Sequence, residues 1–303
     1  MTYQNSKIVK NNNFSDLKSL PADTGGTHSA HILGETDAPY GFYIYIPAGY
    51  EQSSVRYPLL VFHHGDGEQG NSTKDAWGRI ARLTSQLVPR WYSRSPPTRG
   101  KLMKRIFSVR NWPIFRSPLD LVLEHGPPHL IHNSKWTPTY PMIVVSPQCH
   151  YEKWQADKID EFIRYIVKNY RVNQSRIYMT GLSGGGDGVY RYLAEMGNRS
   201  LVAAAVAICG EGTAAQAKKA RVPIWIFHTE FDDVVPLQTA IEMKEGFTNV
   251  PEVKLTVYPD MEHGGWGNTY DLTGMGKGSG KYDPYDISIY DWLLTYSLSE
   301  NGE

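Results

Sequence analysis

The run Arg176-Ile177-Tyr178-Met179-Thr180-Gly181-Leu182-Ser183-Gly184-Gly185-Gly186 constrains this chain most. A short apolar strand runs straight into Gly-x-Ser-x-Gly. This is the pattern of a nucleophile elbow, a strained turn between strand and helix with a serine at its tip. Glycines flank the serine because the backbone is too crowded there for a Cβ. Val189, Leu193 and Met196 follow at helical spacing. The turn exposes the Ser183 hydroxyl and aims the Gly184 N–H at the place where an oxyanion would form.

A serine hydroxyl needs a base, and the base needs a carboxylate to orient it. In folds with such an elbow the order along the chain is Ser, acid, His. Val222–Phe227 reads as a strand followed by His228, Glu230, Asp232 and Asp233. Val253–Tyr258 reads as a strand followed by Asp260, Glu262 and His263. Sites in open α/β sheets lie beyond the C-terminal ends of strands, where all of these fall. Asp233 and Glu230 compete with Asp232, which is favoured by its place between His228 and Pro236. His228 ends its strand and precedes the acid, so it reads as a bracing residue. A second oxyanion donor is expected after the strand Pro58–His63, in His64-Gly65-Asp66-Gly67. The Asp66 N–H is assigned that role, and His64 reads as a brace of the turn.

Further strands are expected at Thr27–Leu33, Gly41–Ile46, Met142–Ser146, Ser175–Thr180 and Val202–Ile208. Helices are expected through Ile159–Tyr170, whose apolar residues share one face, and over Pro236–Phe247 and Asp286–Leu298. Strands alternating with helices imply a mostly parallel sheet covered on both faces. Residues 1–25 read as a flexible lead-in and 26–303 as a single domain. Its one irregular part is an insertion at about 74–118. There Lys74, Arg79, Arg82, Arg90, Arg94, Arg99, Lys101, Lys104, Arg105, Arg110 and Arg116 face a single acid, Asp75, with Trp77, Trp91 and Trp112 among them. The total charge is zero, so the rest of the chain is net negative. The insertion reads either as a solvated face or as a lid that starts at the rim of the site.

The neutral total gives no pull toward nucleic acid. Membrane contact enters only through the basic insertion. No run of about 18 apolar residues occurs. The N-terminus lacks the apolar core of a signal peptide, so the compartment is open: cytoplasmic as the chain stands, secreted or periplasmic if a signal was removed. Cys149 and Cys209 end strands expected to lie three spacings apart, roughly 14 Å, so two free thiols are expected. His125 and His129 have the spacing of helical metal ligands, but Gly126-Pro127-Pro128 is expected to forbid that helix. Thr273–Gly280 lacks the strand and spacing of a phosphate loop. Neither a metal nor a cofactor is expected.

Taken together, Tyr57–Gly65, Gly126–Pro128, Val144–Cys149, the elbow, Trp225–Pro236 and His263–Trp266 resemble the α/β-hydrolases. The likeness is to the serine-esterase branch that includes predicted peptidases, feruloyl-esterase-like and polyhydroxybutyrate-depolymerase-like proteins. The resemblance implies an α/β-hydrolase fold with Ser183 as nucleophile, Asp232 as acid and His263 as base. It implies hydrolysis of small-molecule or polymer-borne carboxylic esters through an acyl-enzyme. A peptidase on the same residues is the alternative, and a non-catalytic binding protein on the same scaffold is another. That branch often has a small apolar residue where Asp66 stands, so the Asp66 side chain is expected to turn away from the site. Gln148 and Trp266 are expected to line the pocket.

Overall fold

The computed structural model describes residues 7–11, 14–72 and 117–299. The basic insertion lies outside them, apart from its end at Ser117–Pro118. Eight strands form the central sheet: β2 (Thr27–His31), β3 (Gly41–Ile46), β4 (Tyr57–His63), β5 (Ile143–Gln148), β6 (Val172–Leu182), β7 (Ala204–Ile208), β8 (Ile224–Thr229) and β9 (Val253–Tyr258). Their spatial order is β2-β3-β5-β4-β6-β7-β8-β9. The β2–β3 and β3–β5 pairs are antiparallel, and every pair from β5 through β9 is parallel. This is the mostly parallel, doubly covered sheet expected from the alternation of elements.

Parallel strands buried on both faces should read as near-continuous apolar runs. β4, Tyr-Pro-Leu-Leu-Val-Phe-His, is buried at every position. Helix α2 (Ala156–Asn169) lays Ile159, Phe162, Ile163 and Ile166 on one face of the sheet. They share that layer with Val189 and Leu193 of α3 (Gly184–Met196). On the other face, Ile289, Trp292 and Leu293 pack with Trp225 and Phe227 of β8.

Three expectations about local structure are corrected. The lead-in is tied down where it is described. β1 (Ile8–Lys10) pairs antiparallel with β10 (Tyr296–Leu298), Leu17 is buried, and Asp16 pairs with Arg176 at 2.5 Å. The C-terminal element is a shorter helix than Asp286–Leu298, because the chain turns after Leu294 to give β10 its ladder with β1. Finally, Gly126-Pro127-Pro128 opens helix α1 (Gly126–His132) instead of forbidding it. Prolines in the first turn forfeit only N–H groups that have no intrahelical partner.

Candidate active site

β6 crosses the centre of the sheet and delivers the chain to the elbow at its C-terminal edge. Ser183 sits at φ 49°, ψ −123°, a strained conformation costing about 1–3 kcal/mol. The surroundings enforce it. The Ser183 N–H donates to Ile208 O at 2.8 Å, and the Gly186 N–H donates to Ser183 O at 2.8 Å. A Cβ at Gly181 would lie 2.3 Å from Gly185 O, and one at Gly185 would lie 2.2 Å from His63 O. Both glycines are therefore demanded by contact.

The structure brings Ser183, His263 and Asp232 into one hydrogen-bonded row. Ser183 Oγ is 3.0 Å from His263 Nε2, and His263 Nδ1 is 2.7 Å from Asp232 Oδ2. An ionised carboxylate can only accept, so Nδ1 carries the proton and Nε2 is left to accept from the serine. Asp232 Oδ1 accepts from the N–H groups of Val234 at 2.9 Å and Val235 at 2.7 Å. Burial opposes its charge, but the hydrogen bonds from His263, Val235 and Val234 overcome that and hold its pKa below the ordinary value. Asp233 and Glu230 are exposed and take no place in this row. The Nε2–H of His228 donates to Val235 O at 2.8 Å, so this histidine braces the loop that carries Asp232.

The turn after β4 reaches the elbow from the other side. His64 Nδ1 donates to Gly65 O at 2.6 Å, while its Nε2 accepts from Cys149 N at 2.9 Å. That fixes His64 as a neutral brace, its pKa lowered to about 4 by burial. The Asp66 side chain does not turn away. A Cβ on Gly184 would meet Asp66 Oδ1 at 1.9 Å, so the carboxylate rests on the elbow itself. Water lost there, and then repulsion from Asp187, raise its pKa. The turn packs close against the elbow, since a Cβ on Gly65 would lie 2.9 Å from Leu182 Cδ1 and 3.5 Å from Ser183 Cβ.

Gln148 is not a lining residue. It is fully buried, and its amide ties three segments together. Nε2 donates to Glu68 O at 3.0 Å and to Pro118 O at 2.8 Å, and Oε1 accepts from Ser72 N at 2.9 Å. The two chain ends that flank residues 73–116 are thus clamped to the turn that carries Asp66. Trp266, half-buried, stands edge-on to His263 with ring centroids 5.3 Å apart. It also borders a cavity of about 210 Å³ lined by His125, His129, Lys135 and Tyr270.

From the sequence, Cys209 reads only as a free thiol, not as a neighbour of Asp232 and His263, and Glu68 is missed altogether. Cys209, at φ 48°, places its Sγ 3.2 Å from Gly264 O. Its thiol is pushed up to about 12 by burial and by the Asp232 carboxylate. With Asp232 and His263 it forms a trio whose donor atoms lie within 4.8 Å of one another, yet Asp232 and His263 are engaged with each other. Glu68, two residues past Asp66, is buried beneath the turn. In the sequence it looks like any loop acid. Cys149 and Cys209 are both free and buried, with two strands between theirs in the sheet.

Residues 147–272 match the model of the dienelactone hydrolase family, a segment that runs from the end of β5 past the elbow, Asp232 and His263. Among solved structures, a thermostable esterase is similar over 90% of this chain, at 21% identity and a TM-score of 0.53. The chain spans 63% of that esterase's length. No curated protein matches it. Among the described residues no helix is long and apolar enough to cross a membrane. The elbow, the order of the eight strands and these two likenesses agree on an α/β-hydrolase fold.

Proposed function

We propose that the protein is a serine hydrolase of carboxylic esters that works through an acyl-enzyme. The observation that carries this reading is the row from Ser183 Oγ to His263 Nε2 at 3.0 Å and from His263 Nδ1 to Asp232 Oδ2 at 2.7 Å, set on a strained elbow. His263 takes the Ser183 proton as Oγ attacks the ester carbonyl. The charge formed on His263 is stabilised by Asp232, which stays ionised. The N–H groups of Gly184 and Asp66 receive the oxyanion, a pair of donors of which each is typically worth about 10²–10³ in rate. His263 then protonates the leaving alcohol. Water, activated by the same imidazole, attacks the acyl carbonyl and frees Ser183.

The names of the matching family and of the esterase favour ester over amide substrates. The test is a panel of acetyl, longer acyl and feruloyl esters, alongside matched amides, with wild type and Ser183→Ala. A fluorophosphonate should label wild type at Ser183 and leave the variant unlabelled. A folded wild-type protein that neither takes the label nor turns over any ester would overturn the reading in favour of a binding protein.

A further inference from the structure

Among the described residues, Asp232 and Glu68 are the buried carboxylates, and both flank the elbow. Asp232 is matched on both oxygens. Glu68 is used by no step of the proposed reaction. Its Oε2 lies 3.4 Å from the point where a Cβ on Gly65 would sit, and that same point is 3.5 Å from Ser183 Cβ. Its Oε1 lies 3.4 Å from His125 Nε2. His125 stands at the N-terminus of α1, edge-on to Trp266 with centroids 5.7 Å apart, and Trp266 in turn meets His263. A buried acid thus sits under the turn that presents the Asp66 N–H, with one imidazole nitrogen within reach.

We propose that Glu68 is a positioning residue for this reaction, held as a neutral acid that shares its proton with His125 Nε2 and so keeps the floor of the oxyanion turn uncharged. The proposal rests on the ester-hydrolase reading. An ionised Glu68 would set a negative charge beside the site of a developing oxyanion, where low local dielectric makes repulsion strong. Burial, Glu124 and Asp66 favour the neutral form of Glu68, and they outweigh the hydrogen bonds from the Glu68 and Gly65 backbone N–H groups, which favour the charged form. Asp66 and Glu124 repel its charge. His64 Nδ1, 4.0 Å from Oε2, already donates to Gly65 O, and Gln148 from β5 contacts only the Glu68 backbone carbonyl. Burial lifts Glu68 to about 7 and lowers His125. Below about pH 7 the couple therefore holds one proton, on the carboxyl, and gives it up as pH rises through that value. Glutamine can reproduce the neutral form, because its amide N–H can donate to His125 Nε2 while its oxygen still accepts from the turn.

The experiment compares the pH profiles of kcat for wild type, Glu68→Gln and Ser183→Ala on one ester. Wild type should lose activity as pH rises through about 7. Glu68→Gln should keep near-wild-type kcat at pH 6 and lack that falling limb, so that its ratio to wild type grows at least about tenfold by pH 9. Superimposable profiles overturn the proposal. Loss of Ser183-dependent activity in wild type would overturn the hydrolase reading instead. A second measurement stands even if Glu68→Gln does not fold. Infrared spectra of wild type should show a protonated-carboxyl band that titrates near neutral pH and moves to higher frequency in His125→Leu. No such band, or one unmoved by His125→Leu, also overturns the couple.

Discussion

The Asp66 carboxylate lies against the Cα of Gly184, so close that a methyl group there would fall 1.9 Å from Oδ1. The two residues assigned to the oxyanion site thus interlock, one from the turn after β4 and one from the elbow. Gly184→Ala should push the Asp66 turn outward and lower kcat by about 10²–10³, the typical loss of one oxyanion donor. Asp66→Ala clears the space the methyl needs. The double variant should then be more active than additivity of the two single losses predicts. Steady-state kinetics of the four proteins give the coupling directly. Strict additivity would show that the contact does not matter to the turn.

Asp232 supports both the orientation of His263 and the fold. Asp232→Asn replaces an acceptor with a side chain that can donate, which favours the wrong tautomer of His263. The expected loss in kcat is about 10⁴, as in the template triad. The same substitution has a signature in stability. The folded pKa of Asp232 is depressed, so its contribution is present above the ordinary carboxylate range and fades as pH falls through the depressed folded value. The gap in unfolding temperature between wild type and Asp232→Asn should therefore narrow from pH 6 to pH 3. A gap independent of pH would contradict the assigned charge.

Gln148 makes a different prediction from that of a pocket residue. Gln148→Leu leaves Glu68 O, Pro118 O and Ser72 N without their buried partner, at about 1–3 kcal/mol for each group left unsatisfied. Thermal unfolding should register this. Kinetically, the loss should fall on kcat more than on KM, because the turn bearing the Asp66 N–H loses its anchor while the walls of the cavity beside Trp266 are untouched. A variant of wild-type stability with only KM raised would return Gln148 to the pocket.

The contrast between Ser183 and Glu68 shows what the sequence can and cannot carry. Ser183 was legible because its turn demands glycines at fixed offsets and an apolar strand before them, all of which are local. Asp232 was separable from Asp233 and Glu230 by its place beside His228 and Pro236, and its burial at the end of β8 agrees with that choice. The central strands were legible because parallel strands buried on both faces leave unbroken apolar runs. Glu68 and Gln148 were not, since what distinguishes them is burial by segments 30 to 80 positions away, as in the hydrogen bonds from Gln148 Nε2 to Pro118 O and Glu68 O. The short β10 was misread as helix for a related reason. Its partner, β1, is 286 or more positions away, and no local pattern announces so distant a ladder.

Cys149 and Cys209 provide a check on the sheet order. Two strands lie between those that they follow, and burial raises both thiols, Cys149 to about 11 and Cys209 to about 12. The thiolate is the reactive form. At pH 8 neither should be alkylated appreciably by iodoacetamide in the native protein. Both should react after denaturation without reductant, giving a mass increase of two adducts. A protected pair would contradict the strand order as well as the thiol state.

The stability of the fold should also record Glu68, with the sign opposite to that of Asp232. Its folded pKa, about 7, lies above its ordinary value of 4.5. Below the ordinary value both folded and unfolded chains hold the proton, and the group contributes nothing to the pH dependence. As pH rises from there toward 7, the unfolded chain gives up the proton easily while the folded chain retains it, so stability falls. Above the folded value the penalty is complete, on the order of 3 kcal/mol. Glutamine carries no such penalty and keeps the acceptor for the turn. Glu68→Gln should therefore gain on wild type between pH 4.5 and 7 and hold a constant advantage of several degrees in unfolding temperature at higher pH. Thermal melts at half-unit intervals of pH resolve that window. An advantage already present at pH 4 would mean that packing, not the buried charge, sets the difference.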